Sequence, residues 1–424
     1  MTPRGPGPLV TANLAITLVA GARYVLCSWI VLQISGIASA PVWLLVAEML
    51  PGLLFTRVLG AVIDRYDRRR VALAADAVRG AALASVAVLS AVRGPSVGAL
   101  VVLAAVMGTC DQLSTPARTA LLRALVADDA LLGATTRISM STQLGTLSGV
   151  GLGGLAAAHV APATAFAALA GCHAVSAAAL ACVRTAPADT KTAPKTAGTA
   201  GTAAATEDDT DGPGPRPALA QLRAAGGLRS PFIVVVVLSA FLRTYNSLLP
   251  AFADKTLGLD SVRFAVVDAA FAVGSLAAGG VLLGRGTSAA VQRAAHLGLA
   301  ALAGCTALFA LSGGFASAAT AYAAIGAGFQ TLTLYQVRCQ ALVPLEHYGR
   351  VFAAFTRIGT IAVLVLYALV GVALAWTGPI AVYLLLALAL AGLAVLQRTA
   401  APFPLPGTPE ATPAEGPRPT EQTR

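Results

Sequence analysis

The sequence predicts an all-α membrane protein with twelve transmembrane helices in two six-helix, pseudo-symmetric halves. Three observations carry this prediction: hydrophobic residues make up 57% of the 424 residues, they fall into twelve long runs, and the two halves of the chain repeat each other. The mean hydropathy is +0.76. A soluble domain averages about 45–50% apolar and about 25% charged residues, whereas 11% of this chain is charged. A water-soluble enzyme does not fit this composition.

Each apolar run ends at charged residues, proline or glycine, and most approach the roughly 20 helical residues that cross a bilayer. The spans of the first half are predicted over 9–34, 41–63, 71–92, 97–116, 138–158 and 163–183. Those of the second half are predicted over 231–253, 262–284, 291–312, 315–336, 354–376 and 379–397. Between the halves lies a Thr/Ala/Pro/Asp-rich stretch that lacks the apolar surface needed to order itself.

The distribution of positive charge predicts the orientation. Arginine and lysine gather in the loops after even-numbered spans and between the halves, and they are few in the opposite loops. Because positive loops stay on the cytoplasmic side, we expect a plasma-membrane protein with both termini in the cytoplasm. The predicted organisation is an N-terminal half over 1–184, a largely disordered cytoplasmic linker over 185–230, a C-terminal half over 231–400 and a disordered cytoplasmic tail over 401–424.

An offset of 220 residues superimposes the two halves without a gap. Four arginines then fall on arginines: Arg23 on Arg243, Arg65 on Arg285, Arg118 on Arg338 and Arg137 on Arg357. Glu48 falls on Asp268 at the same offset. Shared composition alone does not explain matched arginines at one offset, so the repeat indicates a duplicated six-helix unit. In many secondary transporters such halves enclose a binding site near the membrane midplane.

The loop after the second span reads Gly60-Ala-Val-Ile-Asp64-Arg65-Tyr66-Asp67-Arg68-Arg69-Arg70. It resembles the signature loop of the major facilitator superfamily, G-x-x-x-D-R-x-G-R-R/K, with Asp67 in place of the second glycine. The resemblance implies a gate at the cytoplasmic face, in which an acid of the fourth helix pairs with an arginine of the loop, here Asp111 with Arg68. The gate residues that it implies are Gly60, Asp64, Arg65, Arg68, Arg69 and Asp111.

The fifth span also resembles a motif of this superfamily. It reads Gly145-x-x-x-Gly149-Val150-x-x-Gly153-Gly154, where the antiporter motif is G-x-x-x-G-P-x-x-G-G and Val150 stands at the proline. Asp76-Ala-Val-Arg79 and Pro116-Ala117-Arg118 resemble motifs of the drug and siderophore exporter branch, with its enterobactin-exporter-like and macrolide-efflux-like members. The resemblance implies the superfamily's fold and the proton antiport of that branch.

Four ionisable residues of the repeat lie within apolar spans, where such residues are rare and usually face the bundle interior or a wet cavity. Arg23 and Arg243 are the candidate substrate-binding residues, because a guanidinium forms forked hydrogen bonds to carboxylates and phosphates. Glu48 and Asp268 are the proton-coupling candidates. Alternatively, the two acids neutralise the two arginines at rest, and pairing and substrate contact alternate during a cycle.

The sequence therefore predicts a secondary active transporter, a proton-driven exporter of small amphipathic molecules such as siderophores, antibiotics or other natural products. The expected partners are a small-molecule substrate, the lipid bilayer and a proton gradient, with no nucleic acid, cofactor or metal, and we expect a monomer. The alternatives are an importer of a small nutrient and a non-transporting membrane receptor or enzyme. Neither the six scattered cysteines nor the four histidines show metal-site or catalytic spacing, which disfavours an enzyme.

The predicted linker gives a direct test of topology. A reporter fused near Thr199 should be active when it is a type that works only in the cytoplasm, because the linker is predicted on the positively charged side. Activity of a periplasmic-type reporter at the same position would reverse the orientation.

Overall fold

The computed structural model describes residues 7–55, 58–59, 62, 65–126, 128–183, 229–285, 295–342 and 348–399. Within these ranges the protein is helical and contains no strand. The predicted tail over 401–424 and all but the last two residues of the predicted linker lie outside the described residues.

Twelve helices lie in the described ranges. The first six are α1 (Gly7–Ser35), α2 (Ala40–Leu54), α3 (Arg68–Arg93), α4 (Val97–Leu125), α5 (Asp128–His159) and α6 (Pro162–Ala181). The second six are α7 (Arg229–Lys255), α8 (Ser261–Arg285), α9 (Ala295–Ala310), α10 (Phe315–Gly328), α11 (Gln330–Leu342) and α12 (Tyr348–Thr399). The predicted all-α fold is therefore confirmed.

The helices do not correspond one to one with the predicted spans. Seven helical stretches of the described residues are long and apolar enough to cross a membrane, in α1, α3, α4, α6, α7, α8 and α12, and α2 and α9 are apolar but shorter. The predicted span 315–336 is divided at Phe329, between α10 and α11. The last two predicted spans, 354–376 and 379–397, lie on either side of a break in α12 at Gly378, where φ is 78° and Pro379 follows.

Helix direction gives the bundle two distinct ends. We call the end where α2 finishes and α3 begins the basic end, because Arg65, Arg68, Arg69 and Arg70 lie there, and the other the distal end. The halves touch mainly through α5 with α8 and α2 with α12. These two contacts exchange places when the halves are swapped at the offset of 220, as pseudo-two-fold symmetry requires.

The hydrogen bonds and ring contacts that join the halves lie toward the distal end. The Tyr24 hydroxyl donates to the Asn246 carbonyl at 2.5 Å, and the Gln33 amide donates to Asp254 at 3.1 Å. The ring of Trp29 stacks on Phe264 with centroids 5.7 Å apart. In the part of the chain that the structure describes, the buried cluster at the basic end contains only first-half residues, among them Leu9, Val71 and Leu121.

Glycines bring α5 against two neighbouring helices. A Cβ atom built on Gly149 would lie 2.2 Å from the Leu18 carbonyl oxygen of α1, and one on Gly153 would lie 2.6 Å from that of Ala22. Gly145 meets α1 in the same way, one turn earlier. Gly154 faces the other way, where its carbonyl accepts a hydrogen bond from Ser261 of α8 at 3.1 Å. Small residues allow this close backbone approach in membranes, so the motif of span 5 joins α1 and α8 to one helix.

Replacing Gly149 tests this packing. Gly149→Ala should lower the free energy of unfolding by about 1–3 kcal/mol, because its methyl group collides with the α1 backbone. Gly151→Ala is the matched control, since a Cβ on Gly151 meets nothing within 4 Å and alanine favours a helix. Thermal unfolding in detergent measures both, and equal unfolding temperatures for the two variants would contradict the packing.

Candidate functional site

The first candidate residues form an ion pair between α1 and α2. The two terminal nitrogens of Arg23 reach the two carboxylate oxygens of Glu48 at 2.7 and 3.1 Å, a forked geometry. The Arg23 side chain is 8% exposed and that of Glu48 20%. An unpaired arginine at the membrane centre costs about 2.5–3.5 kcal/mol on insertion scales. Internal pairing, one of the two alternatives for Arg23, is therefore present in this conformation.

The second arginine of the repeat has a different environment. The Arg243 side chain is exposed, while its backbone carbonyl accepts a hydrogen bond from the Tyr367 hydroxyl at 3.2 Å. The Tyr367 hydroxyl lies within electrostatic range of both Arg243 and Glu48. Arg243 lies on the second half of the bundle and carries no ion pair within the described residues.

The second acid of the repeat, Asp268, is half-buried on α8. It lies within electrostatic range of the hydroxyls of Tyr24, Tyr322 and Tyr383. No salt bridge to Asp268 is found among the described side chains, so the structure does not pair it with Arg243. The four residues matched in sequence are therefore unequal in space: one arginine and one acid are joined, and the other two are apart.

Asp111 of α4 has a partner other than the one implied by the resemblance. Its carboxylate accepts a hydrogen bond from Arg79 of α3, and Arg68 is instead exposed at the basic end. Arg79 is buried and also donates to Ser114 at 2.7 Å. The expected pairing with Arg68 is thus not present, because Arg79 projects from the middle of α3 toward α4 while Arg68 occupies its first turn. Asp111 is also within electrostatic range of Arg23 and Glu48.

A buried network continues from Arg79 to α6. Asp76 accepts a hydrogen bond from Arg79 at 3.2 Å through one oxygen. Its other oxygen accepts bonds from Arg118 at 2.6 Å and Ser176 at 2.8 Å. The Asp76 side chain has no exposed surface. A buried charge survives only with partners, and here three helices supply them.

His173 completes this network and is not among the site residues predicted from the sequence. Its Nδ1 lies 3.8 Å from Asp76, and neither ring nitrogen has a hydrogen-bond partner within the described residues. Arg118, Ser114 and Ser176 also lay outside the predicted set. The sequence holds one signal for them: His173 and Ser176 are three residues apart, on one face of a helix.

The signature loop is only partly described. Gly60 and Asp64 lie outside the described residues, and Arg65 is exposed. Arg69 donates to the carbonyls of Leu180 and Ala181 at 3.2 and 2.6 Å, which satisfies the end of α6. Asp67, at the position of the motif's second glycine, accepts a hydrogen bond from the Arg70 amide at 3.0 Å and so begins α3 as its N-cap.

Comparison with known families identifies the chain. The profile of the Major Facilitator Superfamily matches residues 12–366. This match covers most of the chain, and the chain belongs to that superfamily. It is therefore a transporter with several membrane spans.

The curated relatives are similar over a short segment. Proteins of Mycobacterium tuberculosis and Mycobacterium bovis, both named multidrug efflux pump Tap, are 40% identical over 88 residues. This match spans 20% of the present chain and 21% of each relative.

Solved structures share the fold over nearly the full length. The nucleoside transporter NupG superimposes with a TM-score of 0.67 at 13% identity and covers 92% of this chain and 97% of its own. A POT family transporter in complex with 5-aminolevulinic acid gives 0.68 at 12% identity, covering 93% and 96%. At these identities the likeness concerns the fold alone.

The Arg23–Glu48 pair is testable by a double-mutant cycle. Glu48→Gln leaves a buried guanidinium without a counter-charge and should lower the free energy of unfolding by about 3–5 kcal/mol. The double variant Arg23→Gln/Glu48→Gln should recover part of this loss, since no charge is then left alone. Denaturation in detergent measures the cycle, and strictly additive effects would mean that the two side chains do not interact.

Proposed function

From its place in the major facilitator superfamily, we propose that this transporter is a proton-driven exporter of small amphipathic molecules at the plasma membrane. The observation that carries the proposal is the Arg23–Glu48 ion pair between α1 and α2, while Arg243 is exposed on α7 and Asp268 has no salt bridge among the described residues. The short similarity to multidrug efflux pumps supports export.

The direction of opening fits export. The described contacts between the halves lie toward the distal end, as in Tyr24–Asn246 and Gln33–Asp254. The positive-inside rule assigns the basic end to the cytoplasm. A bundle closed at the distal end and facing the cytoplasm is the state that accepts cargo from inside the cell, with both termini on that side.

In the proposed cycle, the acids exchange protons for cargo. An anionic group of the cargo binds Arg23 and Arg243 from the cytoplasm. Glu48 and Asp268 take up protons from outside and discharge them inward. Pairing of Arg23 with Glu48 and contact of Arg23 with the cargo alternate during the cycle.

The signature loop and its neighbours act as the gate in this proposal. Arg69 fixes α3 to the end of α6, and Arg79 fixes α3 to Asp111 of α4. These three helices would then move as one body at the basic end when the halves rock. Gly60, Asp64, Arg65 and Arg68 complete the gate in this proposal, as the resemblance of the loop implies.

The experiment uses purified protein in liposomes with an interior-acid pH gradient and two amphipathic dyes, ethidium as a cation and carboxyfluorescein as an anion. The wild type should accumulate dye against its gradient, and nigericin, which collapses the pH gradient, should stop it. Accumulation that requires an interior-alkaline gradient would favour the importer, and no gradient-dependent movement of either dye would contradict the proposal.

Asp268→Asn tests the coupling role. We expect accumulation driven by the pH gradient to fall by about tenfold or more, while downhill dye movement persists, because proton carriers at such sites typically contribute factors of this order. Asp260→Asn is the matched control: Asp260 is an exposed acid that caps the same helix, and asparagine caps equally well. Loss of accumulation in both variants, or in neither, would contradict the assignment of Asp268.

A further inference from the structure

We propose that His173 is a proton-binding residue which, on taking up a proton, releases Arg79 from Asp76 so that Arg79 pairs with Asp111 alone, and so links protonation to the charge on α4. The consequence for transport rests on the proposed function, whereas the proton binding does not. His173 lies outside the signature loop, the glycine motif of α5 and the four charged residues of the repeat.

The His173 imidazole is buried, but it has no hydrogen-bond partner among the described residues. The residue is 2% exposed, and both ring nitrogens are buried without a hydrogen bond among the described residues. Its Nδ1 faces Asp76 Oδ1 at 3.8 Å, which is beyond hydrogen-bond distance. A neutral imidazole has one donor and one acceptor, but an imidazolium has two donors and a positive charge. Protonation therefore creates a donor and a charge opposite a carboxylate.

The oxygen that faces His173 is the weakly held one. Arg79 reaches Asp76 Oδ1 at 3.2 Å, whereas Asp76 Oδ2 is held by Arg118 at 2.6 Å and Ser176 at 2.8 Å. A charged imidazole that closes on Oδ1 competes with the long bond from Arg79. The other terminal nitrogen of Arg79 already donates to Asp111 and Ser114, so Arg79 keeps its partners on α4 when it loses Asp76.

The charged groups around Asp76 and His173 sum to a net charge of zero before His173 takes up a proton. His173 faces Asp76 of α3 and is within electrostatic range of Asp111 of α4, and the arginines that pair with these two acids are Arg79 and Arg118. Helix α6 itself adds the Ser176 hydroxyl.

Two acids and two arginines neutralise one another, so an added proton leaves one positive charge beside Asp76. Helix α1 also packs against α6, and its only charged side chain, Arg23, is already paired with Glu48.

The exchange reaches the central site through Asp111. Its side chain is 47% exposed and within electrostatic range of Arg23 and Glu48. When Arg79 is paired with Asp111 alone, it neutralises that carboxylate more fully. The attraction between Arg23 and the negative charge on α4 then becomes weaker. His173 is thus a positioning residue, which acts on the central pair through Arg79 and Asp111.

Proton binding is measured on the wild-type protein without any substitution. Hydrogen–deuterium exchange at the imidazole C2 carbon, followed by mass spectrometry between about pH 5 and pH 9, reports the titration of each histidine separately. We expect a sigmoidal curve for His173, with the exposed His159 at the end of α5 as the internal reference. A flat profile for His173 over this range, beside a normal curve for His159, overturns the proposal.

The link to transport is measured by ethidium efflux from liposomes across the same pH range. In His173→Gln, whose new side chain is uncharged at all these pH values, the change of the efflux rate across this pH range should be about tenfold smaller than in the wild type. In His159→Gln this change should equal that of the wild type. If His173→Gln folds as the wild type does and keeps the wild-type profile, the coupling is overturned. If His173→Gln does not fold, His173→Asn replaces it under the same criteria.

The two proposals fail in different ways. A wild type without gradient-driven efflux refutes the proposed function, yet the exchange curve of His173 still decides whether that residue binds a proton.

Discussion

A buried guanidinium in the middle of a membrane requires an acid as its partner, and the fork between Arg23 and Glu48 is where this constraint shapes the first half. The pair fixes α1 against α2. Helix α4 has to leave space beside it, and does so at Gly108, where a Cβ would lie 1.7 Å from the Glu48 carbonyl. Gly149 and Gly153 leave space for α1 on its other side. The glycines and the ion pair therefore serve one requirement, close helix approach around a buried charge.

The two halves share a topology but are stabilised by different interactions. In the first half, Asp76, Arg79, Asp111 and Arg118 of α3 and α4 form a connected polar network, which Ser176 extends to α6. The second half is centred on rings instead: Phe309 lies within 5.0 Å of Phe252, Tyr322 and Tyr383, measured between centroids. A polar network can exchange partners when a proton arrives, whereas an interlocked aromatic core has no such alternative arrangement. The first half thus contains the polar network that can exchange partners when a proton arrives.

Much of this arrangement follows from the sequence. The apolar runs located the helices, and matched arginines at one offset revealed the duplication. The sequence left open whether Arg23 contacts the substrate or pairs with Glu48, and the structure shows that the pairing is present. The prediction that Asp111 pairs with Arg68 was wrong. Its partner Arg79 is 32 residues away in the sequence and meets Asp111 through the packing of α3 on α4, which no local pattern encodes. Likewise, the single span predicted over 315–336 did not reveal that the helix breaks at Phe329, between α10 and α11.

The kind of contact between the halves bears on how they separate. At the distal end the polar contacts are few, and two use backbone carbonyls as acceptors, Asn246 for Tyr24 and Gly154 for Ser261. Such acceptors bond equally well to water, and the rest of that contact is apolar, including Trp29 on Phe264. No buried ion pair joins the halves within the described residues. Opening the distal end therefore exposes surface without stranding a charge, while the Arg23–Glu48 pair and the network around Asp76 each stay within the first half.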